Sequence, residues 1–142
     1  MVVDLNYLKV KKYFLLIIFF FLFTTKSFSE NLRFKKIVSL NDPWGSSFIN
    51  KSELIITEKS GKIKIVNIIS NEITSIEHNL NFLEYGQGGL LDIIYKNNNI
   101  WVSYSEDRGN WKTSTSIAKA KLNNRKLNFT NIFQANPPID SG

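Results

Sequence analysis

Tyr85-Gly86-Gln87-Gly88-Gly89-Leu90-Leu91-Asp92 sets three glycines around one glutamine, directly before an apolar run. Glycine lets a backbone take positive φ and approach a ligand closely. The Gln87 amide offers a donor and an acceptor, a pairing suited to sugar hydroxyls. The same residues also suit a plain tight turn with an exposed glutamine, and both readings stand at this point. A phosphate loop is excluded, because no Lys-Ser/Thr follows and no helical pattern begins.

Other groups able to do chemistry are few. His78 is the one histidine, between Glu77 and Asn79, and its polar surroundings read as a surface turn. With one histidine and no cysteine, a transition-metal site is not expected, and disulfides are excluded. Glu106 and Asp107 are adjacent carboxylates in a polar loop with Arg108, Gly109 and Asn110. Such a pair could serve acid–base chemistry or calcium, but a solvated loop is the simpler expectation. Trp101 falls at an alternating strand position and is expected in the core. Trp111 falls in the polar loop and is the better candidate for a pocket rim.

The elements that must position these residues read as short strands and turns, with no helix after residue 30. Expected strands run over 34–40, 46–49, 54–58, 62–67 and 72–77, then 90–95, 100–105, 115–122 and 126–134. Lys62-Ile63-Lys64-Ile65-Val66-Asn67 alternates at period two, as a half-buried strand does. Asn41-Asp42-Pro43, Lys59-Ser60-Gly61 and Lys96-Asn97-Asn98-Asn99 are turn signals, and Pro137-Pro138 is expected to stop the last strand. Laying Leu54-Ile55-Ile56-Thr57 over Ile100-Trp101-Val102-Ser103 gives an offset of 46 residues. Four-strand meanders repeating at about 40–50 residues characterise propeller blades, although a β-sandwich also spaces strands closely. Two blades leave apolar faces open, so the spacing implies a larger ring or assembly with copies, and poor solubility for the chain alone.

The start of the chain reads differently. Lys9, Lys11 and Lys12 precede the apolar run Tyr13–Phe23, and small residues stand at Ser27 and Ser29. This is the pattern of a signal peptide over 1–29, cleaved after Ser29, followed by a domain over 30–142. The apolar run is too short for a membrane span of about 20 residues, so none is expected after cleavage. Residues 30–142 hold 14 of the 18 Lys and Arg and 11 of the 12 Asp and Glu, spread along the chain. No basic cluster with interleaved aromatics points to nucleic acid.

Asp42-Pro43-Trp44-Gly45, the Leu54–Ile63 segment, Gly86-Gln87-Gly88-Gly89-Leu90-Leu91-Asp92 and Ile100-Trp101-Val102-Ser103-Tyr104-Ser105 together resemble the glucose/sorbosone dehydrogenase family, the PQQ-dependent aldose sugar dehydrogenases. The resemblance covers about residue 34 to Gly142. It implies an all-β fold, the first two four-stranded blades of a six-bladed propeller, in a periplasmic or secreted quinoprotein. It also implies an aldose substrate, PQQ as hydride acceptor, and calcium holding the cofactor. Gln87 matches the family glutamine that hydrogen-bonds the sugar. The family's catalytic histidine follows a turn that Ser141-Gly142 approaches, and His78 does not match it. No residue here is given a catalytic, cofactor-binding or metal-binding role, and the chain alone is expected to be inactive. A secreted, non-catalytic propeller module binding carbohydrate or a protein partner is the alternative, and a small adhesive β-sandwich a further one. Oligomeric state is open.

Overall fold

The computed structural model describes residues 12–14, 32–123 and 126–141. The chain forms two units, Met1–Lys35 and Lys36–Gly142. In the first, residues 12–14 are helical and exposed. The rest of the expected leader, including the cleavage point after Ser29, lies outside the described residues. Among those described, no helix is long and apolar enough to cross a membrane.

The second unit is built from two sheets. In the first, β1 (Pro43–Phe48), β2 (Glu53–Glu58), β3 (Lys62–Asn67) and β4 (Ile73–His78) follow one another as antiparallel neighbours. Side-chain oxygens fix the turns between them. Asn50 accepts from Ser52 N–H at 2.8 Å, and Asn67 accepts from Ile69 and Ser70 N–H at 2.9 and 3.0 Å. Such Asx turns offer the chain a local alternative to the ladder, and so end it.

The second sheet starts with β5 (Leu90–Lys96), β6 (Asn99–Asp107) and β7 (Lys112–Lys121), again antiparallel in order. Its first hairpin turns on Asn97 and Asn98, with φ of 50° and 60°. Two consecutive left-handed residues match the strand twist in a two-residue loop, and asparagine tolerates that conformation best after glycine. β8 (Lys126–Leu127) crosses back and pairs in parallel with β4. β9 (Thr130–Gln134) and β10 (Ile139–Asp140) both pair with β7, at different points along it.

The core lies between the sheets. Ile55, Ile63 and Ile76 from the first sheet meet Leu90, Ile93, Ile100, Val102, Tyr104, Ala118 and Ala120 from the second. Burying each large aliphatic side chain here contributes about 1.5–3 kcal/mol. Period-two alternation selects them. On β6, Ile100, Val102 and Tyr104 are buried, and on β7, Ser114, Ser116, Ala118 and Ala120. The junction is also stitched by hydrogen bonds, since Thr57 Oγ1 donates to the Leu91 carbonyl and Tyr95 N–H donates to Ser47 Oγ at 3.0 Å.

Four expectations need correction. Residues 34–40 form no strand, and Phe34 is 97% exposed. Its pattern does not alternate, and β1 begins only after Asp42, whose φ of 46° turns the chain. The expected strand over 126–134 is two strands in different sheets. It divides because the Asn79 side chain takes both backbone groups of Phe129, accepting from its N–H at 2.7 Å and donating to its carbonyl at 3.1 Å. β9 does stop at Gln134, ahead of Pro137-Pro138, but it is not the last strand, since β10 follows. Trp101 is not in the core: it is half-buried on the outer face of β6, with Lys119 Nζ 5.3 Å from its ring centroid. Ile94 and Lys119 are its cross-strand partners, and Ile94 is exposed, so this face is uncovered in the chain.

Candidate functional site

The glutamine turn is held from several sides. Leu83 N–H donates to the Ser105 carbonyl at 3.0 Å, and Ser105 N–H donates to the Gly89 carbonyl at 2.9 Å. Gly88 N–H closes the turn on the Tyr85 carbonyl at 2.7 Å. Gly89 has φ of 138°, and a Cβ there would stand 2.2 Å from the Lys59 carbonyl oxygen. Only glycine fits that approach, and it lets Leu90 N–H reach the same carbonyl at 3.2 Å. Lys59 Nζ then donates to the Gly86 carbonyl at 2.6 Å. Gln87 itself is exposed, and its amide makes no hydrogen bond to another described residue.

The β6–β7 turn lies against this segment. Asn110 and Trp111 both take left-handed conformations, with φ of 52° and 58°. For a bulky residue such as tryptophan this is a strained backbone that its surroundings must impose. They do so through Lys112 N–H to the Gly109 carbonyl at 3.0 Å, Gly109 N–H to Asp107 Oδ1 at 2.8 Å, and Ser141 N–H and Oγ to the Trp111 carbonyl at 2.8 and 2.6 Å. The Trp111 indole is 68% exposed and meets Tyr85 edge-on at 6.0 Å. Tyr85, Trp111, Asp140 and Ser141 line a cleft of about 410 Å³. A second cleft of about 430 Å³ shares Trp111 and runs along Leu83, Asp107, Gly109 and Asn110. The rim expected at Trp111 therefore exists, and it adjoins the turn that carries Gln87.

Glu106 is not simply solvated. It accepts from Ser116 Oγ at 2.6 Å, Gln134 Nε2 at 2.5 Å and Asn131 Nδ2 at 3.0 Å. Burial works against its charge, but the bonds from Ser116 and Gln134, the Arg108 charge and the Asn131 amide together hold its carboxyl below the usual value. Tyr104 donates to Asn131 Oδ1 at 2.7 Å. Burial pushes this phenol up, and the Glu106 charge adds to it. The network ties β6 to β7 and β9, so it is a brace. Asp107 turns away, to cap Gly109.

His78 is also structural. Its Nδ1 accepts from Leu80 N–H at 3.2 Å, so the ring proton sits on Nε2, which donates to the Gly61 carbonyl at 2.6 Å. Phe82 and Phe129 pack about it at 6.1 and 6.5 Å. Both nitrogens are used, and His78 is not in a surface turn as expected but is the half-buried last residue of β4. Among the described residues, no three His, Cys, Asp or Glu side chains converge as a metal site. The clefts at Trp111 offer an aromatic wall and the Asp140 carboxylate, but no cation to face a polycarboxylate such as PQQ. The described residues thus do not by themselves make a holding site for PQQ or calcium.

Sequence reading missed Tyr85 and Lys59. Tyr85 adjoins the glycine cluster, a signal that could have drawn attention to it. Lys59 reads as an ordinary turn lysine, and its partner stands 27 residues away.

Comparison with known proteins agrees with this architecture. The family model described as Glucose / Sorbosone dehydrogenase matches residues 40–142. Aldose sugar dehydrogenase YliI of Escherichia coli (strain K12) is 24% identical over 112 residues, which cover 72% of this chain and 30% of that protein. A crystal structure of glucose dehydrogenase superposes with a TM-score of 0.67 at 24% identity, covering 72% of this chain and 33% of its own. The PQQ-bound form of aldose sugar dehydrogenase from Streptomyces coelicolor does so with a TM-score of 0.61 at 17% identity, covering 70% and 32%. These neighbours are β-propellers, and the two sheets here correspond to two blades. The chain spans about a third of the length of these relatives. With the family model matching most of its length and two successive blades in place, the chain belongs to the glucose/sorbosone dehydrogenase family.

Proposed function

We propose that this chain supplies the first two blades of a six-bladed propeller that oxidises an aldose at its anomeric carbon, with Gln87 hydrogen-bonding a sugar hydroxyl. Family membership and the PQQ-bound relative support the reaction class. For this chain, the observation that carries the reading is a convergence. Tyr85, which opens the Gln87 turn, meets Trp111 and Ser141 at one rim, and Gln87, two residues on, is exposed and bonded to no other described residue. An exposed amide beside an aromatic edge suits a ligand with hydroxyls above and C–H groups below.

PQQ, when bound, supplies the hydride acceptor, with calcium to hold and polarise it. Most of the residues that would hold them belong to parts of the propeller that this chain does not span. The chain's own residues bind and orient the sugar. His78 does not take the hydroxyl proton, because both of its ring nitrogens are committed within the fold. The chain alone therefore turns over no sugar. In a dye-reduction assay with glucose, PQQ and Ca²⁺, we expect the rate of a buffer control. Turnover above it would refute this division of labour.

Sugar binding is tested directly. In the isotope-labelled chain, glucose at about 10 mM and above, the range of millimolar affinity, shifts the Gln87 side-chain amide and the Trp111 indole signals. Shifts confined to other residues, or none, would remove Gln87 from the site. Residues 1–29 are proposed as a cleaved export leader to the periplasm, with 30–142 as the mature blade pair. Expression in a Gram-negative host then yields a periplasmic chain whose mass begins at Glu30. A chain retained in the cytoplasm with its leader intact would overturn the localisation.

A further inference from the structure

We propose that Lys59 is the positioning residue of the Gln87 turn. The inference rests on the reading that Gln87 meets the sugar, and it adds a residue to that site from the other sheet. Lys59 follows β2 directly and lies in the turn before β3. It holds the glutamine turn at both ends. Its main-chain carbonyl accepts from Leu90 N–H at 3.2 Å, behind the glycine that permits the approach. Its ammonium donates to the Gly86 carbonyl at 2.6 Å, immediately before Gln87. Its own N–H donates to the Asp42 carbonyl at 3.0 Å, which fixes the lysine backbone against the entry to the first sheet.

The two grips do different work. The carbonyl sets where β5 starts, a main-chain contact that any residue at 59 can make. The ammonium is the only side-chain group among the described residues bonded to Gly86, Gln87 or Gly88. Gly86 has φ of 54°, and a Cβ there would meet nothing within 4 Å, so Gly86 itself is held by no packing, while Gly88 lies close to Ser105 and Leu83. Without the ammonium, Gly86 would be anchored only through its chain neighbours and the Gly88–Tyr85 bond, and Gln87 would sample more orientations. A glutamine that must be ordered at binding loses affinity to that ordering, and a positioned one does not.

The test compares the labelled chain with Lys59→Met, which keeps the stem and removes the donors, and with Lys59→Arg, which restores them. Backbone order parameters at Gly86, Gln87 and Gly88 report the tip. We expect a fall from a rigid value of about 0.85 to below about 0.6 in Lys59→Met, and retention in Lys59→Arg. The glucose-induced shift at Gln87 weakens roughly tenfold in apparent affinity in the first variant and is kept in the second. Should Lys59→Met precipitate, Lys59→Ala, shorter and without a side-chain donor, shows the same loosening. A tip as ordered in Lys59→Met or Lys59→Ala as in the parent overturns the inference. A tip loosened in these variants, with no glucose response at Gln87 even in the parent, upholds Lys59 as the clamp and removes the sugar reading instead.

Discussion

The β2–β3 turn and the β6–β7 turn hold the same place in their two blades, and they are built in opposite ways. Each follows the second strand of its sheet. Each offers a carbonyl to the chain segment that leaves that sheet: Lys59 to Leu90 at 3.2 Å, and Trp111 to Ser141 at 2.8 Å. The first turn is closed over. Phe82 sits where a Gly61 side chain would be, and His78 binds the Gly61 carbonyl. The second turn is open, with a strained tryptophan presented to solvent. At the first turn, packing against Phe82 demands glycine. At the second, hydrogen bonds hold the turn, and the Trp111 side chain stands exposed.

The largest expected effect tests that contrast at the two glycines. A Cβ at Gly61 would lie 1.9 Å from Phe82, at φ of 91°. Overpacking and left-handed strain together should cost Gly61→Ala about 3–4 kcal/mol. At Gly109, with φ of 75°, the Cβ meets nothing within 4 Å. Gly109→Ala carries strain alone, about 1 kcal/mol. Urea unfolding of both variants measures the difference. Equal losses would mean that the first turn is no more enclosed than the second.

Next come the charges. Lys64 Nζ meets Glu58 Oε1 at 2.7 Å, with the carboxylate side chain fully buried. Asn41 N–H donates to the same oxygen, also at 2.7 Å, while Oε2 has no partner among the described residues. In Lys64→Met a buried carboxylate loses its cation, a change that costs about 3 kcal/mol. Lys112 and Asp140, at 3.9 Å and well exposed, make the corresponding pair beside the open turn. Lys112→Met should cost no more than about 0.5 kcal/mol. A comparable loss in the two variants, read from their urea midpoints, would contradict the burial difference.

The same carboxylates set the response to acid. Burial raises Glu58, but the Lys64 bond, the Asn41 N–H and the charges of Lys64 and Lys62 outweigh it and leave the carboxyl lowered from 4.5. Glu106 is lowered from the same value. A carboxyl with a depressed folded pKa binds protons more readily in the unfolded chain. The stability it contributes is complete above the unfolded value and is lost as pH falls through the folded one. Melting temperature should therefore hold steady down to about pH 5 and drop below it. Glu58→Gln and Glu106→Gln should each flatten that drop. An unchanged slope in both variants would assign acid sensitivity to other groups.

Much of this was legible from the residues, and what escaped did so for physical reasons. β3 and β6 follow from alternation, whereas β2 and β5 read as apolar runs bounded by turns, and β2 buries four successive residues, Ile55 to Glu58. The 46-residue offset also holds, since it pairs Ile55 with Trp101 on corresponding faces of β2 and β6. It misled about burial. Ile55 is covered by the second sheet, whereas Trp101 stays half-buried, with Lys119 over its ring. Alternation shows which face a residue takes, not whether a neighbour comes to cover it. The split of 126–134 depends on Asn79, 50 residues from Phe129. No local pattern announces such a clamp. The site divides in the same way. Gln87 and Trp111 stand out by their neighbours in sequence, while Lys59 acquires its place only when two sheets meet.

The smallest expected effect separates scaffold from site. Gln87 is exposed and bonded to no other described residue, so Gln87→Ala should change stability by less than about 0.5 kcal/mol. Two residues on, Gly89→Ala would drive a Cβ to 2.2 Å from the Lys59 carbonyl and cost about 1–3 kcal/mol. The fold thus pays for the turn at its glycines and gains nothing from the glutamine held between them. The sugar contact proposed for Gln87 requires just such a side chain, one without a structural task. Unfolding curves of the two variants, with the glucose-induced shift at the Trp111 indole, decide the matter. A Gln87→Ala chain that is markedly destabilised would make the glutamine a structural residue and return the turn to its plainer reading.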